Sequence, residues 1–486
     1  MKLIFILFLF LSTIANSNCY AQNSTQKEWP DLPLLNIVTI DGVMPSYSII
    51  KAPEGAVGVG ITNNNHIPGR MVITLKGETL YDSGEYIKGK SGMKIKVRGN
   101  TTGAYLDQHP YKIKLSKKAD LLFRNPKTYK HKDWALLSIY TWHPKMENSE
   151  TNTATLFGLE LARTMGINWE PKTQFVNVVL NDKYQGLYYL IETIDKGDSR
   201  VNIDDTGFII ENDAYWWNEN GIYFKTNHQS NLQGYTYKYP DPDDINDSIE
   251  NNIKNYMNLI EDKIWSEEDL EPYIDYPSFA TWILTHDILA TSDVVGSNMY
   301  YYKENYNTNN IYATKLKMGP LWDFDSSFRG NEYTWTAYHD QNISYFPQLF
   351  KRKKFIETYQ NIYKSIRPSI ISHMKEYCQK IEDSYSSTFE ESMKLHQTIY
   401  PAEGKNSLHS QLTELLTKLE NRLTTIDKLM EIDFPTQIKT ISDDQIRLLK
   451  RTNLSGQDYT NIEKEKLPKG IYINKYSNGA AKVWIK

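Results

Sequence analysis

Cysteine is nearly absent from this chain, at 2 residues in 486. Cys19 lies in an amino-terminal stretch with the build of a removable leader, which leaves Cys378 alone. A disulfide framework is thereby excluded, and stability must come from core burial. Cys378 sits in a helical stretch as a small core residue. The 10 histidines are scattered, and no Cys/His cluster has zinc-ligand spacing. Excess charge is also lacking: the formal net charge of -4 makes no electrostatic case for nucleic acid. Long apolar runs are confined to Leu3–Leu11, too short and too terminal for a membrane span. Internal repeats and low-complexity stretches are missing as well.

The apolar run has a different use. Lys2 precedes it and Cys19-Tyr20-Ala21 follows it as a small-residue cleavage site, the pattern of a secretory signal over residues 1–21. Ser17-Asn18 before Cys19 is a poor lipoprotein signal. The expectation is export, to the periplasm or the cell surface, with no transmembrane span after processing.

Aromatic residues are plentiful, with 35 Tyr and 11 Trp. They suit Tyr-rich strands and mixed polar-aromatic surfaces. Residues 22–195 read as strands (LLNIVTI, RMVITLKG, GMKIKVRG, YKIKLSK), one helix (TATLFGLELARTMG, stopping at Gly166), and two more strands, FVNVVLN and GLYYLIE. Residues 196–440 begin with the strand GFIIEND and turn mostly helical over about 246–290 and 355–432. Residues 441–486 return to short strands split by Gly and Asn. The expected class is α+β in two lobes, a β-rich first lobe with one main helix and a mostly helical second, followed by a small β-rich tail. The chain is long enough for one large two-lobed core or two domains.

The chemistry concentrates between the helical blocks. Asp293 is followed five residues later by Asn298 and, after an apparent hairpin, by Trp322-Asp323-Phe324-Asp325. Phosphoryl transfer uses such a set: one Asp orients the attacking hydroxyl, while an Asn oxygen and another Asp hold Mg²⁺ on the nucleotide phosphates. A protein-kinase catalytic loop has the same Asp-x-x-x-x-Asn spacing, and its metal-binding Asp follows a short hairpin. In an extended segment Asp323 and Asp325 face the same way, and two carboxylates on one face call for a cation or proton between them. Either residue serves as the metal ligand on spacing alone.

These residues resemble the CotH kinase family of atypical kinases, typified by a bacterial spore-coat protein. The likeness is carried by LPLLNIVTIDG, by Lys96-Val97-Arg98-Gly99-Asn100-Thr101-Thr102, and by Tyr111-Lys112-Ile113-Lys114-Leu115. Lys132-Asp133-Trp134-Ala135-Leu136-Leu137, Gly186-Leu187-Tyr188-Tyr189-Leu190-Ile191-Glu192 and the Trp-Asp-Phe-Asp block continue it in order. His109 departs from the lysine that often stands before Pro-Tyr. The tail, through Asn453-Leu454-Ser455-Gly456-Gln457 and Lys469-Gly470-Ile471-Tyr472-Ile473, resembles carboxy-terminal tails of exported Bacteroidetes proteins, some of which serve secretion and surface attachment.

The resemblance implies a two-lobed kinase fold and transfer of the γ-phosphoryl group of ATP to Ser/Thr hydroxyls of a protein, with Mg²⁺ or Mn²⁺. Asp293 is then the catalytic residue, with Asn298 and Asp323 or Asp325 on the metal and Asp323 preferred. Lys114, or Lys112 on the same strand face, clamps the nucleotide. Arg98 and Asn100 approach the phosphates, and the backbone at Glu192 meets the adenine. Glu147, Glu150 and Glu160 are candidates for the lysine's partner. Gly55, Gly58 and Gly60 resemble a phosphate-cradling loop, although glycines in a strand-linking turn are far commoner. Competing readings are a pseudokinase or surface-binding protein, a metal-dependent glycosyltransferase using Asp323-Phe324-Asp325, and a carboxylate-pair glycan hydrolase.

Overall fold

The computed structural model describes residues 29–62, 65–139, 153–219, 221–230, 232–266, 268–291, 297–329, 345–401, 407–431, 448–453, 457–462, 466–469, 471–476 and 481–485. The proposed leader, Asp293, Glu147 and Glu150 lie outside these residues.

Strict alternation builds the first unit. In β6 (Met93–Val97), Met93, Ile95 and Val97 are buried while Lys94 and Lys96 project from the other face. In β7 (Tyr111–Ala119), Tyr111, Ile113 and Leu115 point inward, and Lys112 and Lys114 point outward. The same period runs through β1 (Leu34–Thr39) and β4 (Ile67–Leu75), whereas β8 (His131–Ser138) is buried continuously from Asp133 to Leu136. β9 (Thr173–Leu180) and β10 (Lys183–Glu192) are apolar on both faces, because they are covered on both.

These strands close on themselves. The order is β1-β9-β10-β8-β7-β6-β4, and β4 pairs back to β1. β5 (Glu78–Asp82) is appended to β4. The strands of this first unit therefore form a closed seven-stranded barrel, in which one pair, β1 with β9, is parallel. Closure removes the sheet edges that would otherwise need protection. Its interior is a core of its own, filled by Leu35, Ile37, Met71, Ile95, Ile113, Trp134, Val178, Tyr188 and Leu190 among others. A small hairpin of β2 (Ile49–Lys51) and β3 (Val59–Ile61) stands beside it.

The second unit packs on the outside of β9 and β10. A five-stranded antiparallel sheet runs β12 (Tyr223–Phe224), β13 (Gly234–Tyr239), β11 (Phe208–Asp213), β14 (Met299–Lys303) and β15 (Lys317–Met318). Of the helices, α1 (Thr101–Tyr105) and α2 (Ala154–Thr164) precede this sheet, and α3 (Asp247–Trp265) and α4 (Tyr276–Leu289) interrupt it. α5 (Phe346–Leu349), α6 (Lys353–Gln397) and α7 (Leu408–Glu431) follow. α4 is buried all round from Phe279 to Leu289, so it is the central helix, and α2, α6 and α7 pack against it. α6 docks on the barrel, where Asn177 Nδ2 donates to Ser392 Oγ at 2.9 Å and Leu187 N–H to His396 Nδ1 at 3.1 Å. Cys378 is buried in α6, and burial pushes its thiol up to about 12, which makes it inert. β16 (Leu448–Asn453), β17 (Ile471–Tyr476) and β18 (Ala481–Ile485) form a separate three-stranded sheet. No helix among the described residues is long and apolar enough to cross a membrane.

Candidate functional site

A cleft of about 1470 Å³ separates the outer face of the barrel from the five-stranded sheet and the 322–326 segment. Its barrel wall follows from the alternation above. With the apolar set of β6 and β7 committed to the interior, the lysines of both strands share the outer face. The ladder sets Lys96 opposite Lys112 and Lys94 opposite Lys114. Like charges directly opposite one another destabilise a sheet, so this wall stores an attraction for anions. Lys96 is driven down to about 8, first by burial and then by the Lys112 charge. His66, also in the cleft, falls to about 4 through burial and the neighbouring lysines. Two acids offset part of the charge: Lys112 Nζ is 3.4 Å from Asp133 Oδ1, and Lys114 Nζ is 4.0 Å from Asp241 Oδ2. β7 is an interior strand of the barrel, between β6 and β8, and both Lys112 and Lys114 line the cleft.

Arg98, just past β6, reaches toward the opposite wall. Its guanidinium lies 5.7 Å from the Trp322 ring centre. Burial lowers its pKa, while Tyr300, Asp323 and Glu211 pull it back up. Asn100 also lines the cleft, but its side-chain oxygen accepts from Asn218 Nδ2 at 3.0 Å, tying the turn to the segment after β11.

The opposite wall holds Asn298, Asp323 and Asp325. β14 and β15 form the expected hairpin, with Tyr301 facing Met318. The chain beyond it is not extended: β15 ends at Met318, and Asp323 has φ 62°. The same-face argument for Asp323 and Asp325 therefore lacks its strand. Position comes instead from Phe324, which is fully buried and stacks on His286 of α4 at 5.6 Å between ring centres. It sits against α2 at Gly158, where an added Cβ would come within 2.3 Å of the Phe324 ring. Upstream, Leu321 N–H donates to Glu170 Oε1 at 3.0 Å, and burial holds the Glu170 carboxyl well above its ordinary range. Asn298 is left-handed too, with φ 60°, and its Nδ2 lies 3.4 Å from Asp323 Oδ2. Amide O and N are exchangeable assignments. Turned over, Asn298 presents its oxygen beside the carboxylate, an oxygen-only set that suits a hard divalent cation.

The Glu192 side chain is turned from the cleft. Ile191 and Thr193 line the cleft, but the Glu192 carboxylate is buried, 2.7 Å from Arg124 Nη2 and accepting from Lys172 N–H at 2.9 Å. Glu160 pairs with Arg163 at 2.6 Å and with His373 at 2.9 Å rather than with a cleft lysine. Gly55 and Gly58 lie in the β2–β3 turn and Gly60 in β3 itself, and the run packs on the segment after β11: a Cβ on Gly58 would meet Tyr215 at 2.6 Å.

A second possible ligand group is His131, Asp133 and Asp195. Asp133 N–H donates to His131 Nδ1 at 3.1 Å, so the ring proton is on Nε2, which faces the Lys196 carbonyl at 3.3 Å. Neither nitrogen offers a lone pair to an ion. Burial and Arg200 lower His131 to about 4, and Lys112 meets the Asp133 charge. Among the cleft residues that sequence reading passed over are the acids Glu211 and Asp213 on β11 and Lys238 on β13. The polar end of GFIIEND is the sequence signal for the two acids.

Residues 95–426, more than half of the chain, match the CotH kinase protein family, and the chain belongs to that family. No curated protein matches it.

Proposed function

We propose that this family member is an exported, two-lobed atypical protein kinase that transfers the γ-phosphoryl group of ATP to Ser/Thr hydroxyls of a protein. The observation that carries the reading is one cleft with a cationic barrel wall of Lys96, Lys112, Lys114 and Arg98 facing Asn298, Asp323 and Asp325, which offer oxygen ligands once the Asn298 amide is turned over. Phosphoryl transfer asks a protein mainly for positioning and charge neutralisation, and these two walls supply both. Mg²⁺ or Mn²⁺, when bound by Asn298 and Asp323, would neutralise the phosphate oxygens. The lysines meet those oxygens as compact charges, and Leu137, Leu159, Tyr189 and Ile191 offer the base an apolar face. Asp293, five residues before Asn298, is the carboxylate for the acceptor hydroxyl on its sequence spacing. Residues 22–195 and 196–440 make the two lobes in this reading, and residues 1–21 and 441–486 serve export and sorting.

The test is residues 22–486 incubated with γ-labelled ATP and Mn²⁺. Label should enter the protein itself or an added acceptor. Asp293→Asn should lower transfer by about 10²–10⁴-fold with the circular dichroism spectrum unchanged. Absence of transfer from ATP, or transfer of sugar from a UDP- or GDP-sugar, overturns the reading.

A further inference from the structure

Left-handed backbone at a non-glycine residue needs an anchor, and at Asn298 the anchor is visible. The Asn298 N–H donates to Glu211 Oε1 at 3.1 Å. The other oxygen, Oε2, is 2.8 Å from Lys238 Nζ, and the Tyr300 hydroxyl also bonds to this carboxylate. The three partners come from different places: the turn before β14, strand β13, and β14 itself, where Tyr300 stands directly opposite Glu211. The carboxylate is 8% exposed, and its strand is the middle of the sheet, flanked by β13 and β14. Glu211 is thus held from both sides and presents one oxygen to the Asn298 turn, whose side chain lies against Asp323.

We propose that Glu211 is a positioning residue for the metal side of the cleft: it sets the Asn298 turn, and through it the Asn298 side chain beside Asp323, while Lys238 and Tyr300 lock Glu211 itself. The proposal rests on the reading that Asn298 and Asp323 hold the divalent cation. Carboxylates behind metal ligands commonly change affinity about 10–100-fold when removed, although they never touch the ion. Gln at position 211 keeps an oxygen for the Asn298 N–H. It replaces the charge facing Lys238 with a neutral amide.

The experiment is Mn²⁺ titration of residues 22–486 by electron paramagnetic resonance in the presence of ATP, on wild type, Asn298→Ala, Glu211→Ala, Glu211→Gln and the Glu211→Ala/Asn298→Ala double variant. Glu211→Ala should weaken Mn²⁺ binding about tenfold, and the double variant should be no weaker than Asn298→Ala alone. Glu211→Gln should recover most of the loss. Glu211→Leu, of similar bulk but with no acceptor oxygen, replaces the alanine variant should that one fail to fold, and the same tenfold loss is expected of it. Wild-type Mn²⁺ affinity in both Glu211 variants, with Asn298→Ala weakened, overturns the positioning role alone. An additive loss in the double variant also overturns it. Unchanged affinity in Asn298→Ala removes the metal reading and this proposal together.

Discussion

Asp133 and Asp195, with His131 behind them, and Asn298, Asp323 and Asp325 meet at one cleft, and the two groups are held differently. His131, Asp133 and Asp195 close on themselves: a backbone N–H fixes the imidazole tautomer, the Lys196 carbonyl accepts from the Nε2–H, and Lys112 lies beside Asp133. Burial and the Asp133 charge lift Asp195 to about 6, so the group already shares its charge within the protein. Asn298, Asp323 and Asp325 are instead presented by an irregular chain. Two left-handed residues, one buried phenylalanine and one anchoring glutamate hold them there. The difference teaches that proximity of ligand atoms is a weak guide to a metal site. The two imidazole nitrogens of His131 are already hydrogen-bonded, and that weighs against an ion there.

The sharpest way to break this contrast is a paired substitution. Asp323→Asn should abolish Mn²⁺ binding and lower ATP transfer by about 10³-fold, whereas Asp195→Asn should leave Mn²⁺ affinity within about twofold. Loss of Mn²⁺ binding in Asp195→Asn, read by the same resonance titration, would reverse the two assignments.

Gly158 offers a smaller perturbation that reaches only the group of Asn298, Asp323 and Asp325. Its Cα faces the Phe324 ring so closely that Gly158→Ala must push the phenylalanine aside. The expected cost is about 1–3 kcal/mol of stability, read by urea denaturation, and transfer should fall by about tenfold as Asp323 shifts. A variant that loses stability but keeps full Mn²⁺ affinity would show that Phe324 does not position the acids.

The smallest effect belongs to the group of His131, Asp133 and Asp195. His131 is neutral in the folded state down to about pH 4, while the unfolded chain takes up its proton near 6.5. Stability therefore falls as pH drops from about 6.5 toward 4, because only the unfolded state gains the proton over that window. His131→Gln should flatten that slope in thermal melts without changing Mn²⁺ affinity. A residual slope is expected, since burial also depresses His286 and His396, each to about 3.

Much of this was legible in the linear chain. The period-two runs of β6 and β7 told which lysines share a face, and the Trp-Asp-Phe-Asp block after a hairpin pointed to the acids. Closure of the barrel was not legible. It rests on β1 pairing with β4 on one side and with β9 on the other, partners that no local pattern names. The extended reading of residues 322–325 failed for a related reason. Burial of Phe324 between α2 and α4 outweighs any strand preference there, and it turns Asp323 left-handed. Glu192, an ordinary-looking strand end, is committed to Arg124 and Lys172, contacts that fold topology alone creates.

The sequence by itself determined the alternation that turns lysines outward and the order of its blocks, because side-chain period and turn chemistry are local properties of the chain. It also carried the acids of the candidate site. Only the tertiary structure decided which acids remain directed at the cleft, that Glu211 and Lys238 join them, and that His131 does not. Those outcomes depend on which lone pairs and charges long-range packing has already satisfied, and that is settled by partners far apart in the chain.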